Sequence, residues 1–251
     1  FIILCLAKYF HRMKVENINS IYTILTSLII IILPMGLVVV QPDLGTSLLI
    51  AMSGIVVLWF AGINHKYFIY TILGFLISLP IMISFLKPYQ KLRVLTFLNP
   101  DRDPLGAGYQ IIQSKIAVGS GGIFGKGFLK GTQSYLEFLP EKHTDFIFTL
   151  FSEEFGFLGS VCLLAIYAVI IYRIISIGTI SRSFFAKLFC YSFAAAIFIY
   201  IAINMSMVLG LLPIVGSPLP ILSYGGSSML ATMIGFGIVM SAKVHNQQAI
   251  A

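Results

Sequence analysis

Phe138-Leu139-Pro140-Glu141-Lys142-His143-Thr144-Asp145 runs straight into Phe146-Ile147-Phe148-Thr149-Leu150, and this junction decides how the whole chain is read. Downstream, the apolar run is long enough to cross a bilayer, which takes roughly 20 mostly apolar residues. Upstream, polar, ionisable and backbone-breaking residues crowd the place where the span meets water. A carboxylate at such a boundary is partly desolvated yet reachable, which is where a membrane enzyme could keep an acid or base.

The rest of the chain agrees with that membrane boundary. Of 251 residues 58% are apolar and 10% charged, with a mean hydropathy of +0.97; an ordinary soluble domain carries about 25% charged residues. The expected fold is an all-α polytopic membrane protein. Spans are expected at about 21–40, 46–61, 67–86, 146–173, 188–209 and 223–240, with a partial one at 1–7. The chain begins Phe-Ile-Ile-Leu-Cys, already inside an apolar run. It is therefore expected to be a fragment without its N-terminus, not a chain opening on a signal peptide. Cys5, Cys162 and Cys190 all lie in apolar runs and read as free buried thiols.

Basic residues in short loops set the orientation. Lys8, Arg12 and Lys14, then His65 and Lys66, then Arg173, Arg182 and Lys187, then Lys243 alternate to one side, which is read as cytoplasmic together with the C-terminus. The opposite side then carries a structured extracytoplasmic loop, about 87–145, and the proline-rich turn at 211–222. That loop holds Lys87, Lys91, Arg93, Arg102, Lys115, Lys126, Lys130 and Lys142. Two readings stand for so basic a loop: attraction to anionic headgroups, or an anionic substrate such as a pyrophosphate. Composition alone favours the first. Asp43, Asp101, Asp103, Glu137, Glu141 and Asp145 fall on that side, so chemistry is expected there. Glu153 and Glu154 lie inside the fourth span, about 12 Å below Asp145 at helical rise; they should face the bundle interior or a wet cavity, or be protonated.

Each motif carries a plain structural reading beside a chemical one. Asp43, between Pro42 and Gly45, is explained by turn formation or capping. Tyr109, Ile112 and Ile116 recur at helical spacing within 108–118 and predict a short amphipathic helix. The glycine run 119–127 fails as a phosphate loop, because Ser120 and Gly127 occupy the places that need Gly and Ser or Thr. A flexible hinge or a backbone lining for a bulky ligand fits it better, and its amides with Lys126 could still meet a phosphate. His143 and Asp145 lack a second ligand cluster, so a zinc site is not expected. Glu141 and Asp145, four apart, would share one helical face and could divide acid and base work; residue types alone favour capping. Ser223 is read as an N-cap. Pro213, Pro218 and Pro220 forbid regular helix in the turn before it, and irregular backbone at membrane depth must be buried in protein or line a cavity. The turn is thus expected to dip toward the same cavity as Asp145.

Six stretches in order carry a resemblance. They are Gln-Pro-Asp-Leu-Gly-Thr (41–46), Lys-Pro-Tyr-Gln-Lys-Leu-Arg (87–93) and Asn-Pro-Asp-Arg-Asp-Pro-Leu-Gly-Ala-Gly-Tyr-Gln (99–110). Gln-Ser-Lys-Ile-Ala-Val-Gly-Ser-Gly-Gly (113–122), Leu-Pro-Glu-Lys-His-Thr-Asp-Phe-Ile-Phe (139–148) and Pro-Leu-Pro-Ile-Leu-Ser-Tyr-Gly-Gly-Ser-Ser (218–228) complete the set. Together they resemble the SEDS family (shape, elongation, division and sporulation), on its RodA-like rod-shape branch more than its division branch. The resemblance implies a single SEDS-type transmembrane domain over 1–251, lacking about the first three and a half spans at roughly 20 residues each.

It further implies a peptidoglycan glycosyltransferase in the bacterial inner (cytoplasmic) membrane, polymerising lipid II during cell elongation and rod-shape maintenance. The family's catalytic Asp falls on Asp145, as general base on the acceptor sugar hydroxyl. The candidate substrate-binding set is Arg93, Gln113, Lys126, His143, Thr144, Ser223 and Ser227. A pyrophosphate leaving group needs charge neutralisation, a task that a divalent cation (magnesium or manganese) could share, although no carboxylate cage is visible. The implied partners are lipid II, a class B penicillin-binding protein (the transpeptidase) and other membrane proteins of the elongation complex, with no nucleic acid. The alternatives are a lipid II flippase, which calls for ionisable groups along a whole transmembrane path, and a non-catalytic scaffold for a transpeptidase.

Overall fold

Helix α2 (Ile21–Val40) exposes Leu25, Ile29, Leu33 and Leu37 and buries Thr23, Ser27 and Ile31. This inverts the pattern of a soluble helix. Lipid is as apolar as leucine, so spans associate through small residues, close packing and hydrogen bonds instead. The computed structural model describes residues 1–41, 43–85, 91–92, 95–97, 99, 107–131 and 143–245, with no strand among them. The other helices are α1 (Ile2–His11), α3 (Leu44–Ala61), α4 (His65–Phe85), α5 (Ala107–Ser120), α6 (Ile147–Ile180), α7 (Phe184–Val208) and α8 (Gly226–Val244). Among the described residues α2, α3, α6, α7 and α8 are long and apolar enough to cross a membrane, and α4 stands where the third span is expected. The all-α polytopic bundle read from composition is the one observed.

The chain forms two compact units. In the first, of residues 1–79, 170–199 and 230–245, α1 buries Leu6, Ala7 and Phe10 and contacts α2 and α3. A Cβ on Gly54 would lie 2.6 Å from Ile31 Cγ1, so the glycine lets α3 approach α2 closely. Asp43 caps α3, accepting from Thr46 N at 3.0 Å and from the Thr46 hydroxyl; the capping reading of Asp43 holds. Phe185, Phe189 and Phe193 stack along α7 at 6.1 and 5.7 Å, and Phe193 meets Phe236 of α8 edge-on at 5.5 Å.

The second unit comprises the described part of 80–169 with 200–229. Here α5 forms as expected but buries a different face. Its buried stripe is Ile111, Ser114 and Ala117, while Ile116 is exposed. Ser114 Oγ, already bonded to Ile111 O, also reaches Val208 O at 2.9 Å. Small residues let α5 lie close to the end of α7, and packing overrides the apolar count. That end is closed by Leu211 N to Ser206 O (2.7 Å) and Gly210 N to Met207 O (3.0 Å), with Gly210 at φ +68°. These are the paired bonds of a Schellman stop.

The fourth expected span holds a break that periodicity does not show. α6 continues past Arg173 to Ile180 but leaves helical geometry at Gly156 (φ 67°, ψ −162°). An unbroken helix would bond Phe157 N to Glu153 O and Leu158 N to Glu154 O. The break orphans all four groups, and the glycine run takes them up one for one. Lys126 N and Gly127 N donate to Glu153 O and Glu154 O, both at 3.0 Å; Phe157 N and Leu158 N donate to Gly122 O and Ile123 O at 2.9 and 3.1 Å. Unsatisfied backbone would be costly in a membrane setting, so the clip accounts for a broken helix there. It also explains the glycines. A Cβ on Gly121 would sit 2.1 Å from Ser152 O, and one on Gly125 would sit 2.1 Å from Glu154 O. The run 119–127 is therefore tied to α6 rather than a free hinge, and α6 uses the amides of Lys126 and Gly127.

Candidate functional site

Asp145 stands in the turn just before α6, half-buried, with its side chain outside regular helix. In this turn the carbonyls of His143, Thr144 and Asp145 are each taken by a different donor. Tyr224 N bonds His143 O at 2.9 Å. Ser223 Oγ bonds Thr144 O at 2.7 Å. Asn204 Nδ2 bonds Asp145 O at 2.8 Å. Three consecutive carbonyls are thus latched to the proline-rich turn and to the last part of α7.

The turn is built to receive them. Pro213, Pro218 and Pro220 remove donors and fix φ, leaving backbone that must be bonded from outside. Asn204 Nδ2 also donates to Ser217 O at 2.6 Å. Leu219 N donates to Ser223 Oγ at 2.7 Å, and Ser223 N returns a bond to Leu219 O at 3.0 Å. Tyr167 of α6 donates to Pro220 O at 2.5 Å. Between these anchors Ile221 holds φ 71°, a conformation that costs a β-branched residue on the order of 1–3 kcal/mol. Gly216, at φ +73°, brings its backbone beside the carboxylate: a Cβ there would lie 3.5 Å from Asp145 Oδ2.

His143, Thr144, Asp145 and Ser223 therefore converge. Ser223 is not an N-cap: its hydroxyl is spent on Leu219 and Thr144, and α8 starts three residues later, with Gly225 O accepting Met229 N. Ser227 lies exposed in the first turn of α8, and Gln113 half-buried on α5; neither bonds to this cluster. Lys126 Nζ pairs with Glu153 Oε1 at 2.7 Å, and Glu153 is fully buried. That charge faces the interior with a cation against it, as a carboxylate in a span must. Arg93, Glu141 and Lys142 lie outside the described residues. Asn204 and Tyr167 escape a reading by residue type. The available signal for Asn204 is that it is the one amide side chain in the span expected at 188–209, where polar groups are placed for partners.

Among the described residues no three of His, Cys, Asp and Glu lie together so as to hold a metal ion. An apolar cavity of about 380 Å³, lined by Phe60, Ile171, Ile175, Tyr191, Ala194, Ala195 and Phe198, contains none of the expected site residues. Its lining suits hydrocarbon, not a sugar.

Helices this long and apolar define a multi-pass membrane protein, and the irregular, hydrogen-bonded turn before α6 carries the Asp145 carboxylate. The chain belongs to the FTSW_RODA_SPOVE family of cell cycle proteins, which it matches over residues 1–248. It is 48% identical over 222 residues to the peptidoglycan glycosyltransferase MrdB of Escherichia coli (strain K12), covering 88% of this chain and 60% of that protein. It is 46% identical over 156 residues to the peptidoglycan glycosyltransferase RodA of Treponema pallidum (strain Nichols), covering 62% of this chain and 36% of that protein. Among solved structures, a peptidoglycan synthase complex described as coordinating polymerization and crosslinking superposes with a TM-score of 0.79 at 32% identity, over 98% of this chain and 68% of that one. The rod shape determining protein RodA of Thermus thermophilus gives 0.65 at 25% identity, over 98% and 64%. The chain thus spans about 60% of the length of its Escherichia coli relative.

Proposed function

We propose that this protein is a peptidoglycan glycosyltransferase that polymerises lipid II, with Asp145 as the general base. The observation that carries the proposal is the latch on 143–145, which fixes one carboxylate at the mouth of a span in a chain of this family. Asp145 takes the proton from the acceptor sugar hydroxyl. The acceptor oxygen attacks the donor's anomeric carbon and forms the new glycosidic bond. The bond from that carbon to the pyrophosphate oxygen breaks, and the lipid pyrophosphate leaves with its electron pair. Lys115 and Lys130 are exposed in the same unit and suit the leaving group's charge. The head of Lys126 is held by Glu153. The site faces the outside of a bacterial inner membrane with the C-terminus in the cytoplasm, and the enzyme works with a class B penicillin-binding protein as its transpeptidase.

The test is polymerisation of labelled lipid II by the protein purified at the full length its gene encodes, with and without the cognate transpeptidase. Asp145→Asn keeps the shape of the side chain but not its basicity. It should remove the ~10²–10⁴-fold that a general base contributes while the protein still folds and binds its partner. Polymerisation at the parent rate by Asp145→Asn would place the base elsewhere, with Glu141 the next carboxylate to test. Polymerisation unchanged by the transpeptidase would remove the partner claim alone.

A further inference from the structure

We propose that Asn204 is the positioning residue of this site: one buried amide that fixes the Asp145 backbone and the wall facing its carboxylate together. The inference rests on the reading of Asp145 as the base. Asn204 is fully buried within α7, one turn before the helix ends at Val208. Its Nδ2 has two hydrogens, and each has a carbonyl: Asp145 O at 2.8 Å and Ser217 O at 2.6 Å. The first bond pins the residue that carries the carboxylate. The second pins the residue after Gly216, whose backbone stands beside Asp145 Oδ2. Base and facing wall are thus referred to a single rigid helix rather than to two loops. Oδ1 has no hydrogen-bond partner among the described residues. A buried amide with an unmet acceptor costs stability, and its two donors supply what offsets that cost: they hold Asp145 O and Ser217 O.

The chemistry of the side chain makes the role specific. Two carbonyl oxygens are served here by one donor group: an amide NH₂ gives each its own hydrogen, a hydroxyl has a single hydrogen to share between them, and a carboxylate or alkyl group has none. Loss of the bridge lets the carboxylate and its wall drift apart. A displacement of about 1 Å at a reacting group costs on the order of 100-fold in rate without removing any substrate contact.

The experiment is lipid II polymerisation by the full-length protein with its transpeptidase, in four variants: Asn204→Leu, Asn204→Ser, Asp145→Asn and the double variant Asp145→Asn/Asn204→Leu. Asn204→Leu should lower kcat about 10- to 100-fold with KM for lipid II changed less than about 3-fold. Asn204→Ser, with one hydrogen to donate, should fall between it and the parent. The double variant should be no slower than Asp145→Asn alone, because Asn204 acts through Asp145. If Asn204→Leu does not fold, the kcat of Asn204→Ser decides, and a value equal to the parent's overturns the proposal. A raised KM at unchanged kcat also overturns it, since that is a substrate contact. So does a lower yield of folded protein at full kcat, which is a purely structural role. These results leave the Asp145 reading standing. Activity retained by Asp145→Asn sinks that reading first, and this inference with it.

Discussion

Glu153 shows how one residue's surroundings settle what its type leaves open. A carboxylate inside a span must be neutralised, paired or wet, and Lys126 pairs it from 27 residues away at 2.7 Å. Removing one partner of a buried ion pair costs about 3–5 kcal/mol. Lys126→Met should therefore lower the thermal midpoint in detergent more than Glu153→Gln, which can still accept a bond from Lys126. The double variant Lys126→Met/Glu153→Leu should recover most of the loss. A Lys126→Met protein as stable as its parent would show that the pair does not brace this unit. At this scale the sequence identified Asp145, His143, Thr144 and Ser223 as residues of interest, and the fold brings those four together. It did not single out Asn204, whose role depends on which carbonyls lie within 3 Å, a fact of tertiary geometry.

At the scale of elements, the break in α6 is the feature most remote from periodicity. The run from Phe146 to Gly159 is apolar apart from Thr149, Ser152, Glu153 and Glu154, and Gly156 in it, like Gly159, reads as a tolerated residue. It is instead the place where α6 turns to φ 67°, ψ −162°, a region almost closed to other residues. Gly156→Ala meets that restriction, and its Cβ would lie 2.3 Å from Gly125 N. A loss of at least ~2 kcal/mol is expected from the backbone and steric terms together, measured by unfolding in detergent. Gly119→Ala is the control: nothing lies within 4 Å of its Cβ, and an alanine there should be neutral or gain up to ~1 kcal/mol. Equal losses at both positions would mean the clip is not what holds the break. The spans themselves were legible because apolar length alone specifies them. The clip was not, because its two strands of backbone are separated in sequence and share no side-chain pattern.

For the whole molecule, the proposed topology, with the short basic loops in the cytoplasm, predicts α5 and the glycine run on the opposite side. Ser120 is exposed at the end of α5. A Ser120→Cys variant should react with a membrane-impermeant maleimide in intact spheroplasts. Reaction only after permeabilisation would invert the topology and take the site away from extracellular substrate.

What the sequence determined by itself is the solvent of this protein and the order of its helices. Transfer of apolar side chains into lipid depends on composition and run length, both of which are local. The latch on 143–145, the amide of Asn204 that serves two carbonyls and the exchange of four backbone bonds between 122–127 and 153–158 were decided by tertiary structure alone. Hydrogen bonds are short-ranged and directional, and these join residues from 13 to 81 positions apart. No local pattern encodes which donor will find which carbonyl once the helices have packed.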